Sequence, residues 1–282
     1  MLKALRVGLL GGRGGSRQPA GVGITPPAIA AARGMTRLLL REDFSDPSRF
    51  GFDGQLAVGQ TFCQTSPGNI YGCHLDDQAG FVFDDGLTIQ GQGHNDYQAH
   101  IISYDPWSER GFLLPRGGGW FVELEAKLLS SWAGWPGGFA FWTLDWRHPY
   151  AGFSGVPAID EPSILEPDFH EIGATESSPG VWERREWLAL HNWVNTGGGV
   201  AYQPSQSVVG NLRLDPEQWF KCGALIEGNL SAYRWHINDA VVASCTPSWL
   251  DKFKTFRGPI MIGCGPNNPI KIRNLRVWGQ PE

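Results

Sequence analysis

The sequence of 282 residues contains no run approaching 18 apolar residues, which excludes a membrane-spanning helix. Charge is scarce: 18% of residues are Asp, Glu, Lys or Arg, against about a quarter in an average domain. No cysteine sits in C-x-x-C spacing and no histidine cluster accompanies the five cysteines, which argues against a zinc site. No G-x-S-x-G elbow is present, and no glycine-rich phosphate motif lies between a strand and a helix. Helical periodicity is almost missing. Acidic residues are absent from the first 41 positions, where Lys3, Arg6, Arg13, Arg17, Arg33, Arg37 and Arg41 all occur. The remainder carries 16 basic and 28 acidic side chains, a net −12. A body so acidic lacks the basic face that the phosphate backbone demands, so nucleic acid is excluded as its partner.

The residues that are abundant point elsewhere. Hydrophobic residues make up 41% of the chain and aromatics 12%, enough to bury a large core. The 38 glycines and 20 prolines stay below the fraction that marks low-complexity disorder. Thirteen tryptophans exceed what a core alone needs, so some are expected to face a ligand. Cys222, Cys245 and Cys264 lie in or beside apolar segments and read as small buried hydrophobes. Cys63 and Cys73 are the two that could pair across a loop in an oxidising compartment.

Residues 1–37 form a basic, Gly/Pro-rich arm, expected to be extended, and residues 38–282 the folded body. The apolar stretch of the arm is broken by Gly11, Gly12 and Arg13, a poor match to a signal peptide. An organellar transit peptide, a tether onto a larger assembly such as a virion or cell-surface complex, and a leader without a role all fit.

In the body, apolar alternation bounded by Gly, Pro, Asn and Asp predicts strands over 37–42, 87–91, 97–104, 120–129, 138–145, 187–194, 219–227, 231–237, 240–244, 259–264 and 270–278. Phe121, Leu124 and Leu128 interleave with Glu123, Glu125 and Lys127, with one break in phase. The 270–278 strand changes phase at Asn274, which predicts a bulge. Asn238-Asp239 predicts a hairpin turn, and residues 247–254 one short helical turn. Many strands without interleaved helices imply an antiparallel β-sandwich or barrel.

The sharpest motif is Glu166-Pro167-Asp168-Phe169-His170-Glu171. On a strand, Glu166 and Asp168 share a face, and one bulged residue before Glu171 would bring all three acids together. Crowded carboxyls push one another's pKa values apart, as a paired nucleophile and acid require. The three prolines at 157, 162 and 167 equally suit a surface loop carrying scattered acids.

The order of segments around this motif resembles glycoside hydrolase family 16, the laminarinase, lichenase, agarase and carrageenase group. Gly119 to Lys127 is similar to that family's first motif strand, with Glu125-Ala126-Lys127 for Glu-Ala-Arg. Trp135-Pro136 and Phe139-Ala140-Phe141-Trp142 resemble its Trp-Pro and Phe-Trp segment, the acids its E-x-D-x-x-E strand, and His191 the histidine that follows. The resemblance covers about residues 38–280. It implies a concanavalin A-like β-jelly roll with a concave groove for a polysaccharide. It also implies Glu166 as nucleophile, Asp168 as the residue that orients and tunes, and Glu171 as general acid/base of an endo-acting retaining hydrolase. Trp135, Trp142, Trp146, His191 and Trp193 are then the candidate sugar contacts. No cofactor is required. Glu42 is the candidate ligand of a structural calcium, and Asn274 stands where that family commonly has Asp. The implied location is extracellular or virion-associated. A non-catalytic carbohydrate-binding or structural module on the same fold is the alternative. Pro167 departs from the family pattern, since proline removes a ladder donor.

Overall fold

A computed structural model describes residues 24–52, 55–64, 74–75, 80–91, 97–105, 108–129, 138–145, 163–179, 181–195, 200–202, 206–210, 217–265 and 268–281. Among these residues no helix is long and apolar enough to cross a membrane. Two mainly antiparallel sheets stack on each other as a jelly-roll β-sandwich.

The first sheet runs Ala240–Cys245, Tyr233–Ile237, Phe220–Ile226, Trp120–Leu128, Ile270–Gly279, Gly86–Gln90 and Gly80–Asp84, with Arg37–Glu42 also on Ile270–Gly279. The second runs Val200–Tyr202, Val181–Asn195, Ser163–Ser178, Phe139–Thr143, Ile260–Cys264, Tyr97–Ile102, Phe62–Gln64 and Phe50–Gly51. Alternation sends Trp120, Val122, Leu124 and Ala126 from the first sheet, and Phe139, Phe141, Leu165, Phe169, Leu188 and Leu190 from the second, into one core. Trp120 meets Phe169 at 6.0 Å and Phe139 meets Phe220 at 6.0 Å, both edge to face.

Most strand boundaries fall where alternation put them. Asn238 and Asp239 both adopt positive φ, 47° and 67°, the geometry of a two-residue hairpin whose twist matches its strands. Asn274 adopts φ 53° at a register shift, so the phase change is a bulge. Residues Leu250–Lys254 form a 3-10 turn.

The boundary at residue 38 needs correction. Residues 24–35 already belong to the body: a one-turn helix, Ala28–Ala31, lies on the outer face of the first sheet. Ala30 and Met35 are fully buried there against Phe121, Leu225 and Trp278. This contact accounts for the broken phase of the 120–128 strand, because Phe121 points away from the core and is covered from outside. Arg33 pairs with Glu227 at 3.3 Å, so part of the basic charge is spent on the acidic body. Met35→Ala should lower unfolding stability by about 2–5 kcal/mol, read from urea midpoints. An unchanged midpoint would show that this contact does not stabilise the body.

Glu42, the candidate calcium ligand, accepts from Phe44 N at 2.9 Å, from Arg49 Nη2 at 2.9 Å and from the Thr61 hydroxyl. Its counter-charge among the described residues is thus the Arg49 guanidinium. Of the Cys63–Cys73 pair, Cys73 lies outside the described residues, and Cys63 is buried on the second sheet.

Candidate active site

The long hairpin Ser163–Ser178 and Val181–Asn195 carries the acids. Glu166 pairs with His191, Asp168 with Ala189 and Glu171 with Trp187. Between Asp168 and Glu171 three steps on one strand oppose two on its partner, a bulge. Its cause lies in the core. Phe169 packs on Phe141 at 4.8 Å, and His170 on Phe139 and Phe220 at 5.9 and 5.6 Å. Two successive side chains therefore turn inward, and alternation resumes with Glu171 on the same outer face as Glu166 and Asp168. Trp235, reaching across from the first sheet, donates its indole N–H to the Asp168 carbonyl at 2.8 Å and satisfies the backbone at the bulge.

Pro167 fits this strand for a local reason. Leu165 and Pro167 share backbone orientation, and the Leu165 carbonyl accepts from Asp145 N at 2.9 Å, on the side of Phe139–Thr143. The missing N–H of Pro167 faces that side, where the Phe139–Thr143 ladder shifts register between Phe141 and Trp142.

The acids sit in an environment that disfavours their charge. Asp168 is 5% exposed, and desolvation lifts its carboxyl well above the usual range. Glu166 is raised first by desolvation and then by Asp168, with Glu171 adding to it, while His191 and the Trp193 hydrogen bond oppose. Glu171 keeps solvent access, yet the surrounding protein pushes its carboxyl up to about 8, helped by Asp168 and opposed by His191. Strand alternation and the bulge bring the three carboxyls onto one face. His191 Nε2 lies 3.0 Å from Asp168 Oδ2, and Trp193 donates its indole N–H to Glu166 Oε2. Partners on the neighbouring strand therefore fix both carboxyls. At neutral pH such a cluster holds protons on some members and charge on others.

His191 and Trp193, expected as sugar contacts, both lie against the acids. Trp142 is different. It lies on the acid-bearing face opposite Asp168, but it is 6% exposed and packed with Ile102, Met261 and Leu144. It forms the floor under the acids and offers sugar no open face. Trp135 and Trp146 lie outside the described residues. Two residues were missed. Trp187, partly exposed beside Glu171, lies over Gly173, where a Cβ would come within 2.2 Å of the ring. His100 fills the space left by Gly263 and touches Trp142 edge-on at 6.3 Å; burial lowers its pKa to about 4, so it is neutral. The signal for Trp187 was available: it shares the parity of Ala189, His191 and Trp193, so it had to face the acids. Trp187→Ala should raise KM about tenfold while leaving kcat within about threefold, the pattern of a lost binding platform. A loss confined to kcat would refute that role.

No protein-family model matches the sequence, and no curated protein matches it. Solved structures do resemble the fold. A GlcNAcα1-4Gal-releasing endo-β-galactosidase from Clostridium perfringens matches with TM-score 0.57 at 12% identity, covering 87% of this chain and 64% of the clostridial one. An endo-1,3-β-glucanase from Streptomyces sioyaensis matches with TM-score 0.55 at 14% identity over 92% of this chain and 100% of the other. A Bacteroides ovatus family 16 protein of a mixed-linkage glucan locus, solved with a product, gives 0.54 at 14% over 85% and 99%. At such identities the likeness is one of architecture, and the chain has the jelly-roll fold of the glycoside hydrolase family 16 enzymes.

Proposed function

We propose that this protein is an endo-acting glycoside hydrolase that cleaves a β-linked polysaccharide with retention, outside the cell. The observation that carries this reading is the bulge that gathers Glu166, Asp168 and Glu171 on one face. Glu166, held by the Trp193 N–H, attacks the anomeric carbon. Glu171, kept protonated by its surroundings, gives its proton to the leaving oxygen. Water then releases the glycosyl group, with Glu171 as base. Asp168, clasped by His191, keeps negative charge from accumulating beside either partner. The resemblance to endo-glucanases and an endo-β-galactosidase supports the substrate class.

The test is incubation with a panel of β-glucans and β-galactans, followed by reducing-end assay and proton NMR of the first product. Oligosaccharides with the β-anomer formed first are expected. First products with inverted configuration would overturn the double displacement, and absence of release from every polymer would favour a binding module.

A further inference from the structure

His170 is the residue immediately before Glu171, and the bulge turns its side chain inward. It is 0% exposed, and among the described residues neither ring nitrogen has a hydrogen-bond partner. Its ring is held between Phe139 and Phe220. Glu186, 2% exposed, stands on the neighbouring strand opposite Ile172, with its Oε2 3.7 Å from His170 Nε2. Glu186 shares parity with Leu188 and Leu190, both core residues, so a carboxylate occupies a position that packing alone would give to an aliphatic side chain. Burying an imidazole and a carboxylate costs free energy, and placing the two side by side offsets part of it. Cys222 on Phe220–Ile226 also lies near Glu186; burial pushes its thiol up, with the Glu123 and Glu186 charges adding to it, so it stays neutral. None of these groups takes part in the bond-breaking steps above.

We infer that His170 and Glu186 form a positioning pair, which locks the inward turn of the bulge and so fixes the direction in which Glu171 points. The inference deepens the hydrolase reading and rests on it. Trp235 holds the bulge at the Asp168 carbonyl, and the pair holds it one residue before Glu171. A misplacement of about 1 Å at a reacting group costs on the order of a hundredfold in rate.

Four variants test the pair: His170→Phe, Glu186→Gln, their combination, and His170→Gln, which keeps an N–H donor near the Nε2 position. The two single changes should each lower kcat by about ten- to a hundredfold with KM within about twofold. The double variant should be no slower than the worse single, and His170→Gln should recover most of the loss. Melting temperatures measured alongside give the folded fraction. If kcat per folded molecule is unchanged in His170→Phe and Glu186→Gln, the pair is only structural and the inference fails. A readout without turnover separates this result from failure of the hydrolase reading. Carbon-13 NMR titration of the Glu171 carboxyl should move in both single variants if the pair aims that group. An unmoved titration overturns the inference even in an active enzyme. A moved titration in a chain that releases no oligosaccharide upholds it while the hydrolase reading falls.

Discussion

Glu171→Gln lowers oligosaccharide release from natural polymers by about 10²–10⁴-fold, the range that a positioned general acid contributes. Glu166→Gln loses at least as much, because the covalent bond to the anomeric carbon is formed by the Glu166 carboxylate itself. The two variants should differ in a revealing way. With an aryl glycoside whose leaving group needs no protonation, Glu171→Gln recovers much of its glycosylation rate, whereas Glu166→Gln does not. Both should fold, since Gln keeps the volume and removes a charge that the site disfavours. The pH dependence follows from the same geometry. The Glu171 carboxyl ionises near 4.5 in the unfolded chain and at about 8 in the folded one. A raised carboxyl pKa means that the native state disfavours ionisation, so stability is highest below the unfolded value and falls as pH rises towards 8. Glu171→Gln should therefore melt higher than the parent at pH 8 and at the same temperature at pH 4. Solvent access to Glu171 keeps this difference to a few degrees at most. Catalysis by the protonated acid fails on the alkaline side of about pH 8. Parental turnover in both variants would remove these acids from the mechanism.

Trp235→Leu is expected to be the most damaging change in the core. Trp235 is fully buried, and its indole N–H is the partner of the Asp168 carbonyl. Cutting back a buried tryptophan costs about 3–5 kcal/mol in packing. An unsatisfied buried carbonyl adds about 1–3 kcal/mol. The loss is read from the urea midpoint, with folded protein below the transition still available for kinetics. Trp235→Phe narrows the packing loss, since it keeps an aromatic ring in the core while removing the donor. If Trp235→Phe matches the parent in both midpoint and kcat, the cross-sheet hydrogen bond does not support the bulge.

Strand-level organisation was legible because alternation is a local property of the backbone. The Arg37–Glu42 strand, the Asn238-Asp239 turn and the Asn274 bulge could each be read from a few neighbouring residues. The acids were legible as a spacing, and Glu166 and Asp168 had to share a face. Of the three prolines that suited a loop, those at 157 and 162 lie outside the described residues, and Pro167 stands in a strand whose length is set by pairing with Val181–Asn195 rather than by local preference. The tryptophans were read less well. Which indole is open depends on what packs beside it, and Trp142 is enclosed by Met261 and Ile102 while Trp187 lies open over Gly173.

The sequence by itself determined a many-stranded antiparallel sandwich or barrel, because a period of two assigns faces without reference to the rest of the molecule, and it showed the three acids as a spacing open to either a strand or a loop. Only the tertiary structure decided that Glu171 joins the other two acids. That outcome depends on Phe169 and His170 both finding room between the sheets, and on Trp235 crossing the core to bind the carbonyl that the bulge exposes. The same holds for Phe121, which breaks its strand's alternation and is buried because Met35 and Ala30 cover it from outside. In each case the deciding partner is distant in sequence, and burial against it outweighs the local pattern.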